Sequence, residues 1–482
     1  MRRIVIIGGG ITGLAAAWYA ERQNLPCDVV LVERDSRVGG KIRTERAAID
    51  SPPVPGAGGG NDRSFVLEAG AESMLSRKTA AIVLCRELGI EERLIGATLR
   101  RHGSFVFHSG RLYPLPSGFT GLVPGNPQAV LESDLLSPAG KARFCDEPNI
   151  PPHDTNSDES IAAFMKRRYG EEAFELLIDP LAGGIFAGNT ALLSMDATFP
   201  NLRERERIHG SLGAGPAAPS QPGAPPAAGV LPPFVTFPDG MSTLVEQIRA
   251  GLRRSEVRMR LGALSIERMK DSAGLRYRVE TDGQTGIDAD AVLLATPAFE
   301  SETLLSRLSP TATRILAGIP YASTAIVHIA FRSPAADETL DGHGYVVPSI
   351  DHGLFTAATW TSSKWPGRAP AGYALVRFYA GRFGSVGPLE LTDDELVARA
   401  CEELERATGV VATPELSRVY RWDRAIPQYN LGHLDRVSLL RACERQIPGI
   451  YFAGAAFDGV GIPDCIGSAR EAVGKISHNL GG

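Results

Sequence analysis

Paired cysteines are missing from this sequence. Cys27, Cys85, Cys145, Cys401, Cys443 and Cys465 are scattered over 482 residues, with no CxxC pair and no histidine cluster nearby. That spacing argues against a zinc site and against a secreted disulfide framework, and it fits free thiols in a reducing cytoplasm. Long apolar runs are also missing: no uncharged stretch approaches the roughly 20 residues of a spanning helix. A peripheral membrane contact stays open. There is no excess of positive charge, because 50 Lys+Arg stand against 55 Asp+Glu for a formal net charge of -5. A chain-wide basic field for nucleic acid is therefore excluded. The nine histidines are dispersed, so no metal site is expected and no residue is assigned as a catalytic acid or base. Met1-Arg2-Arg3 runs straight into Ile4–Ile7 without the longer apolar run of a signal peptide, and the mature chain is expected to begin here.

What remains is the balance of a soluble globular protein, 43% hydrophobic and 22% charged, long enough for two or three packed regions. The fold class is α/β. Residues 1–45 read as strand, glycine turn, helix and strand. From about 74 to 210 helical spacing dominates. Ala81, Leu84, Cys85 and Leu88 form one stripe that Gly89 ends, and Ile161, Phe164 and Met165 form another after a cap at Ser157. The Pro/Gly-rich stretches 51–60 and 213–233 read as loops. A helix after Ser242 carries Leu244, Ile248 and Leu252 on one face. Strands are expected at Val257–Leu261, Tyr277–Thr281, Ala291–Ala295, Ala325–Phe331, Tyr373–Gly381 and Leu416–Trp422, with a helix near 393–407. A last strand, Gly449–Ala453, leads through a glycine turn to a helix from about Ile466.

The N-terminal unit carries the strongest chemical signal. Gly8, Gly10 and Gly13 form GxGxxG between the apolar strand Ile4–Ile7 and an alanine-rich helix, Leu14–Ala20. The first glycine permits the tight turn, the second lets backbone approach a pyrophosphate, and the third lets helix pack on strand. Free amides at the helix start, together with the helix dipole, attract phosphate. Glu33 ends the second strand, where a carboxylate can accept both ribose hydroxyls and would repel a 2′-phosphate. This favours FAD or NAD over NADP. The run Arg37-Val38-Gly39-Gly40-Lys41-Ile42-Arg43-Thr44 adds two more glycines that bring amides to a second stretch of dinucleotide, and it resembles the extension of the amine oxidase-like FAD superfamily.

Further runs occur in an order that narrows the resemblance. They are Leu67-Glu68-Ala69-Gly70-Ala71-Glu72-Ser73, Asp179–Gly188 (DPLAGGIFAG), Phe237–Met241 (FPDGM), Ala358–Pro366 (ATWTSSKWP), Arg421–Tyr429 (RWDRAIPQY) and Gly459–Ile466 (GVGIPDCI). Together they resemble the oxygen-dependent porphyrinogen oxidases of haem synthesis over nearly the whole chain, in particular the bacterial type acting on coproporphyrinogen III. A protoporphyrinogen IX oxidase is the alternative, followed by an amine oxidase or carotenoid desaturase on the same scaffold.

The resemblance implies a Rossmann-type FAD-binding domain in three parts (1–75, 234–300 and 441–482). It also implies a helical, substrate-binding region (76–210), a flexible loop (211–233) and a mixed-sheet substrate domain (301–440). It implies non-covalent FAD held by Gly8, Gly9, Gly10, Ile11, Thr12, Gly13, Glu33, Arg34, Gly39, Gly40, Lys41, Gly70, Ala71, Glu72, Ser73, Leu264, Trp422, Val460, Gly461 and Ile462. In that scheme Gly70 and Ala71 keep the wall beside the flavin ring thin. Leu264 offers backbone to the adenine, and Pro463 and Asp464 begin a helix whose amides favour negative charge on the ring. The substrate and dioxygen are the implied reactants, with haem-pathway enzymes as implied contacts. The propionates of a porphyrinogen call for cations, and Arg101, Arg111 and Lys364 are the candidates.

Overall fold

A computed structural model describes residues 2–49, 64–98, 100, 103–153, 157–213, 231–271, 274–283, 285–333, 340–385 and 387–481. The stretch 51–60, expected to be a loop, lies outside these, as do 214–230. The two ends of the longer stretch are tied down. Ser211 donates to a Glu147 carboxylate oxygen at 2.6 Å, and the Pro232 carbonyl accepts the Ser76 hydroxyl at 2.6 Å.

The α/β class holds. Five parallel strands form one sheet in the order Glu256–Met259, Cys27–Glu33, Arg2–Ile7, Ala291–Leu294 and Ile450–Phe452. Three stretches of chain far apart in sequence thus build one layer. Its inner strands are apolar on both faces, as a parallel sheet covered on both sides requires, while the edge strand Glu256–Met259 is exposed or half-buried along its length. Val5, Ile6, Val30 and Leu31 are all buried, and so are Val292 and Leu293. On one face pack the helices Ile11–Arg22, Ser242–Gly251 and Ile462–Gly481.

The second large sheet is mixed. Its seven strands run in the order Leu416–Pro427, Tyr321–Arg332, Tyr373–Ala380, Phe355–Trp360, Gly344–Val346, Phe105–His108 and Arg111–Pro114. The hairpin 105–114 therefore belongs to this sheet. Within 74–210 the expected helix at Ala81–Leu88 forms as Ala80–Glu87, short strands including this hairpin then run to Pro124, and helices resume at Pro127. Buried aromatic and β-branched residues such as Phe105 and Phe107 satisfy the sheet face here.

Two boundaries move for capping reasons. The helix Ile161–Tyr169 is capped by Ser160, whose hydroxyl accepts the Ala163 N–H at 3.1 Å, and not by Ser157. The final helix begins at Ile462, four residues before the expected Ile466, because Pro463 is tolerated in a first turn where its missing N–H costs nothing. Among the described residues no helix is long and apolar enough to cross a membrane.

Candidate functional site

A cleft of ≈ 340 Å³ opens at the carboxyl edge of the parallel sheet, where strands in such folds end in ligand-binding turns. Its floor is a double glycine turn. Gly8 adopts φ +105°, open to glycine alone, and a side chain there would meet the Ala295 carbonyl at 2.9 Å. A Cβ on Gly13 would lie 1.9 Å from the Gly8 carbonyl oxygen. A Cβ on Gly10 would meet nothing within 4 Å, since it points into the cleft. The protein thus needs glycine at 8 and 13 to fold and at 10 only to leave room. The helix that follows has no side-chain cap and no acid in its first turn, so its amides stay available to an anion.

The second glycine pair closes over the first. Gly39 N–H donates to the Gly9 carbonyl at 2.8 Å, and Gly10 and Gly39 form a parallel bridge. Glu33 holds this arrangement together. One carboxylate oxygen accepts the Gly9 N–H at 2.7 Å and the other accepts the Asp35 N–H at 2.9 Å. Arg34 also lines the cleft and pairs with Glu300 at 2.9 Å. Two glycine loops, a half-buried acid and an uncapped helix start fit the pyrophosphate and ribose of a dinucleotide.

Of the residues expected at the cofactor, Gly8, Gly10, Ile11, Thr12, Glu33, Arg34, Gly39, Gly40, Lys41, Ala71, Trp422, Val460 and Ile462 line the cleft. Gly9 and Gly13 support it from behind. Gly461 flanks it, with its N–H held by the Asp464 carboxylate at 3.1 Å. Ser73 and Leu264 do not line it. A β-bulge between Ala263 and Ser265 turns Leu264 outward, leaving it 57% exposed, while Leu261, Gly262 and Ala263 take the wall.

Gly70 has a different reason from the one expected. A Cβ there would lie 1.9 Å from the Lys41 carbonyl oxygen, so glycine is needed where two backbones touch. Only Ala71 of that run reaches the cleft. The run itself is clamped from the mixed sheet. Trp422 Nε1 donates to the Ala69 carbonyl at 2.5 Å, and Arg377 donates to the Gly70 carbonyl. His328 Nε2 donates to the Glu68 carbonyl at 3.0 Å.

Two buried acids anchor its ends. Glu68 accepts Arg368 at 3.1 Å, the Met241 N–H at 2.7 Å and the Thr44 hydroxyl at 2.8 Å. Glu72 lies 3.5 Å from Lys364 and 3.7 Å from Arg377. Burial alone would raise Glu72, but Lys364 and Arg377 outweigh it and hold the carboxyl at about 2. Glu72 is therefore ionised and bound to both cations. Burial and the neighbouring Arg377 push His328 down to about 3, so it is neutral and serves as a donor. Arg368, Arg377 and His328 escaped the sequence reading. The available signal was a charged or basic residue inside an otherwise apolar strand, as in Tyr373–Ala380.

The candidate substrate cations separate. Arg101 lies outside the described residues. Arg111 is solvent-exposed, stacks on Tyr113 at 4.9 Å, and sits on the edge strand opposite the one carrying Trp422. Six strand spacings of about 4.8 Å put it on the order of 29 Å from that strand. Lys364 is committed to Glu72 and to the Trp365 ring at 5.1 Å.

The sequence profile of the flavin containing amine oxidoreductases matches residues 11–477. The chain belongs to that family. Membership of that family implies a flavin cofactor. The chain is similar to the coproporphyrinogen III oxidase of Bacillus subtilis, 35% identical over 479 residues, or 98% of this chain and 97% of that one. The coproporphyrinogen III oxidase of Staphylococcus aureus is 31% identical over 491 residues, with 99% and 100% covered. A crystal structure from Exiguobacterium sp. 255-15, provisionally assigned as a protoporphyrinogen oxidase, superposes with a TM-score of 0.83 at 30% identity and covers 99% of both chains.

Proposed function

We propose that this chain is an FAD-dependent oxidase that converts coproporphyrinogen III to coproporphyrin III, with dioxygen as electron acceptor and hydrogen peroxide as the second product. The observation that carries the reading is the end-to-end similarity to coproporphyrinogen III oxidases, which extends beyond the glycine turns through the regions that would face a substrate. FAD rather than a mononucleotide flavin is supported by the two glycine loops and Glu33, which line the cleft where the pyrophosphate and ribose of an ADP half would lie. Non-covalent binding is supported by Cys465, the cysteine lining the cleft. Its thiol is buried and raised to about 11, so it is not the thiolate that covalent attachment needs.

Bound FAD would accept two electrons per step, and a porphyrinogen must give up six, so three rounds are needed. The chain's own residues position and exclude. Ala71 offers a small side chain where a flat macrocycle must approach. Trp422, Arg377 and His328 fix that wall from behind by holding consecutive carbonyls. Val460 and Ile462 close the far end at the start of the last helix, whose dipole favours negative charge nearby. Aromatisation supplies driving force, and a dedicated strong base is not required.

The test is aerobic turnover of the FAD-loaded protein on coproporphyrinogen III and protoporphyrinogen IX, with porphyrin fluorescence and peroxide read together. The expected result is higher kcat/KM on coproporphyrinogen and one peroxide per two electrons. A clear preference for protoporphyrinogen would reassign the substrate, and turnover of neither would overturn the reading.

A further inference from the structure

The turn after the strand Tyr373–Ala380 holds a cation whose side chain makes no hydrogen bond among the described residues. Arg382 is only 19% exposed along its side chain, and its guanidinium donates to no described residue. Its nearest carboxylate oxygen, on Asp179, stands 3.9 Å away. That acid is already satisfied. Thr190 donates to one oxygen at 2.6 Å, and the Ser349 hydroxyl and N–H donate to the other. A half-desolvated guanidinium whose five donors meet only a carboxylate at 3.9 Å among the described residues is costly unless something else fills its fork.

Glycine stands where the neighbouring helix meets this cation. The helix Asp179–Phe186 passes with Gly183 against the guanidinium, where a Cβ would come within 3.3 Å of a terminal nitrogen. Gly184, next along, is exposed to solvent. The same helix is fastened to the cofactor cleft. Gln428, which follows the cleft-lining Pro427, donates to the Phe186 carbonyl at 2.9 Å. Tyr429 packs on Phe186 and donates to the carbonyl of the cleft-lining Ala455 at 2.6 Å. Arg382 follows Arg377, which clamps the Gly70 carbonyl, by five residues along nearly the same strand, on the order of 16 Å at about 3.3 Å per residue.

We propose that Arg382 is a specificity-determining residue that pairs with a carboxylate of the tetrapyrrole substrate, in the angle between the glycine-bearing helix 179–186 and the mixed sheet. This rests on the porphyrinogen reading above and refines it. Its planar fork matches a carboxylate in two parallel hydrogen bonds. A substrate bearing four propionates gains from it where one bearing apolar vinyls at that corner does not.

The experiment uses FAD-loaded parent, Arg382→Gln and Arg382→Lys, with FAD content and melting temperature recorded for each. Binding of coproporphyrin III and of its uncharged tetramethyl ester is titrated by tryptophan quenching, and turnover is measured on both porphyrinogens. In Arg382→Gln the Kd for coproporphyrin should rise about tenfold to a hundredfold, as for a lost charged hydrogen bond. Binding of the ester should stay unchanged, and KM for coproporphyrinogen should rise more than kcat falls. Arg382→Lys should recover part of the loss. Equal weakening toward acid and ester, or no weakening at all while the parent turns over coproporphyrinogen, overturns the role of Arg382 alone. A parent that neither binds coproporphyrin nor oxidises coproporphyrinogen overturns the porphyrinogen reading and this role together.

Discussion

Gly10 and Gly13 stand three residues apart in one motif and answer to different forces. A side chain at 13 collides with the Gly8 carbonyl inside the protein, whereas one at 10 collides only with what the cleft receives. Gly10→Val should therefore fold, with at most about 1 kcal/mol lost to the poorer helix N-cap, and should purify without yellow colour. Gly13→Ala should lose the fold itself. Far-UV circular dichroism, thermal melting and flavin absorbance on the two variants separate these outcomes. A flavin-loaded Gly10→Val protein would mean that the phosphates do not pass over this turn. The motif was legible in the sequence because its residues are contiguous and each glycine has a steric reason that survives without knowledge of the rest. Arg382 was not legible, because its meaning lies in a hydrogen bond it fails to make and in a glycine two hundred residues earlier.

At the scale of elements, the run 67–73 depends on partners drawn from far along the chain: His328, Arg368, Arg377 and Trp422. Sequence reading marked the run itself, and placed Gly70, Glu72 and Ser73 at the flavin with Ala71. Partners about 300 residues away leave no periodic trace, so the pairing of Glu72 with Lys364 and Arg377 could not be read from the run itself. The clamp has a pH dependence with a definite sign. His328 falls from an ordinary 6.5 to about 3 on folding, so below 6.5 the unfolded chain binds a proton that the folded chain refuses. Glu72, lowered from 4.5 to about 2, adds to this below 4.5. Both contributions are complete above their unfolded values and are lost as pH falls. His433, brought to about 4 mainly by burial, acts in the same direction. Stability should fall by up to about 1.4 kcal/mol per pH unit for each such histidine as pH drops below 6.5. Denaturant melts between pH 7 and 4 on the parent and on His328→Gln check this: the variant, though weaker at pH 7, should show the shallower slope. An identical slope would mean that His328 takes up its proton without unfolding.

Over the whole molecule, the same clamp joins two sheets that could otherwise have behaved as separate domains. The cleft is built from strand ends at 7, 33 and 294, from the turn at 454–462, and from Trp422 and Pro427 of the mixed sheet. Glu68 with Arg368 and Glu72 with Arg377 cross the boundary as buried charge pairs, with half-buried Lys364 beside Glu72, so opening it would strand charges of both signs away from water. Chains of this length often unfold in stages. This one is expected to melt as a unit in the flavin-loaded state. Trp18, on the first helix, reports on the parallel sheet, and Trp365, fully buried beside Lys364, reports on the mixed sheet. Two proteins that each retain one of these tryptophans, with the other three changed to phenylalanine, should give coincident thermal transitions by fluorescence. Free FAD at about 100 times its Kd should stabilise the folded state by about 2.7 kcal/mol and move both transitions together. Movement of the Trp18 transition alone would mean that the flavin stabilises only the parallel-sheet half, and that the buried pairs across the boundary break before either half unfolds.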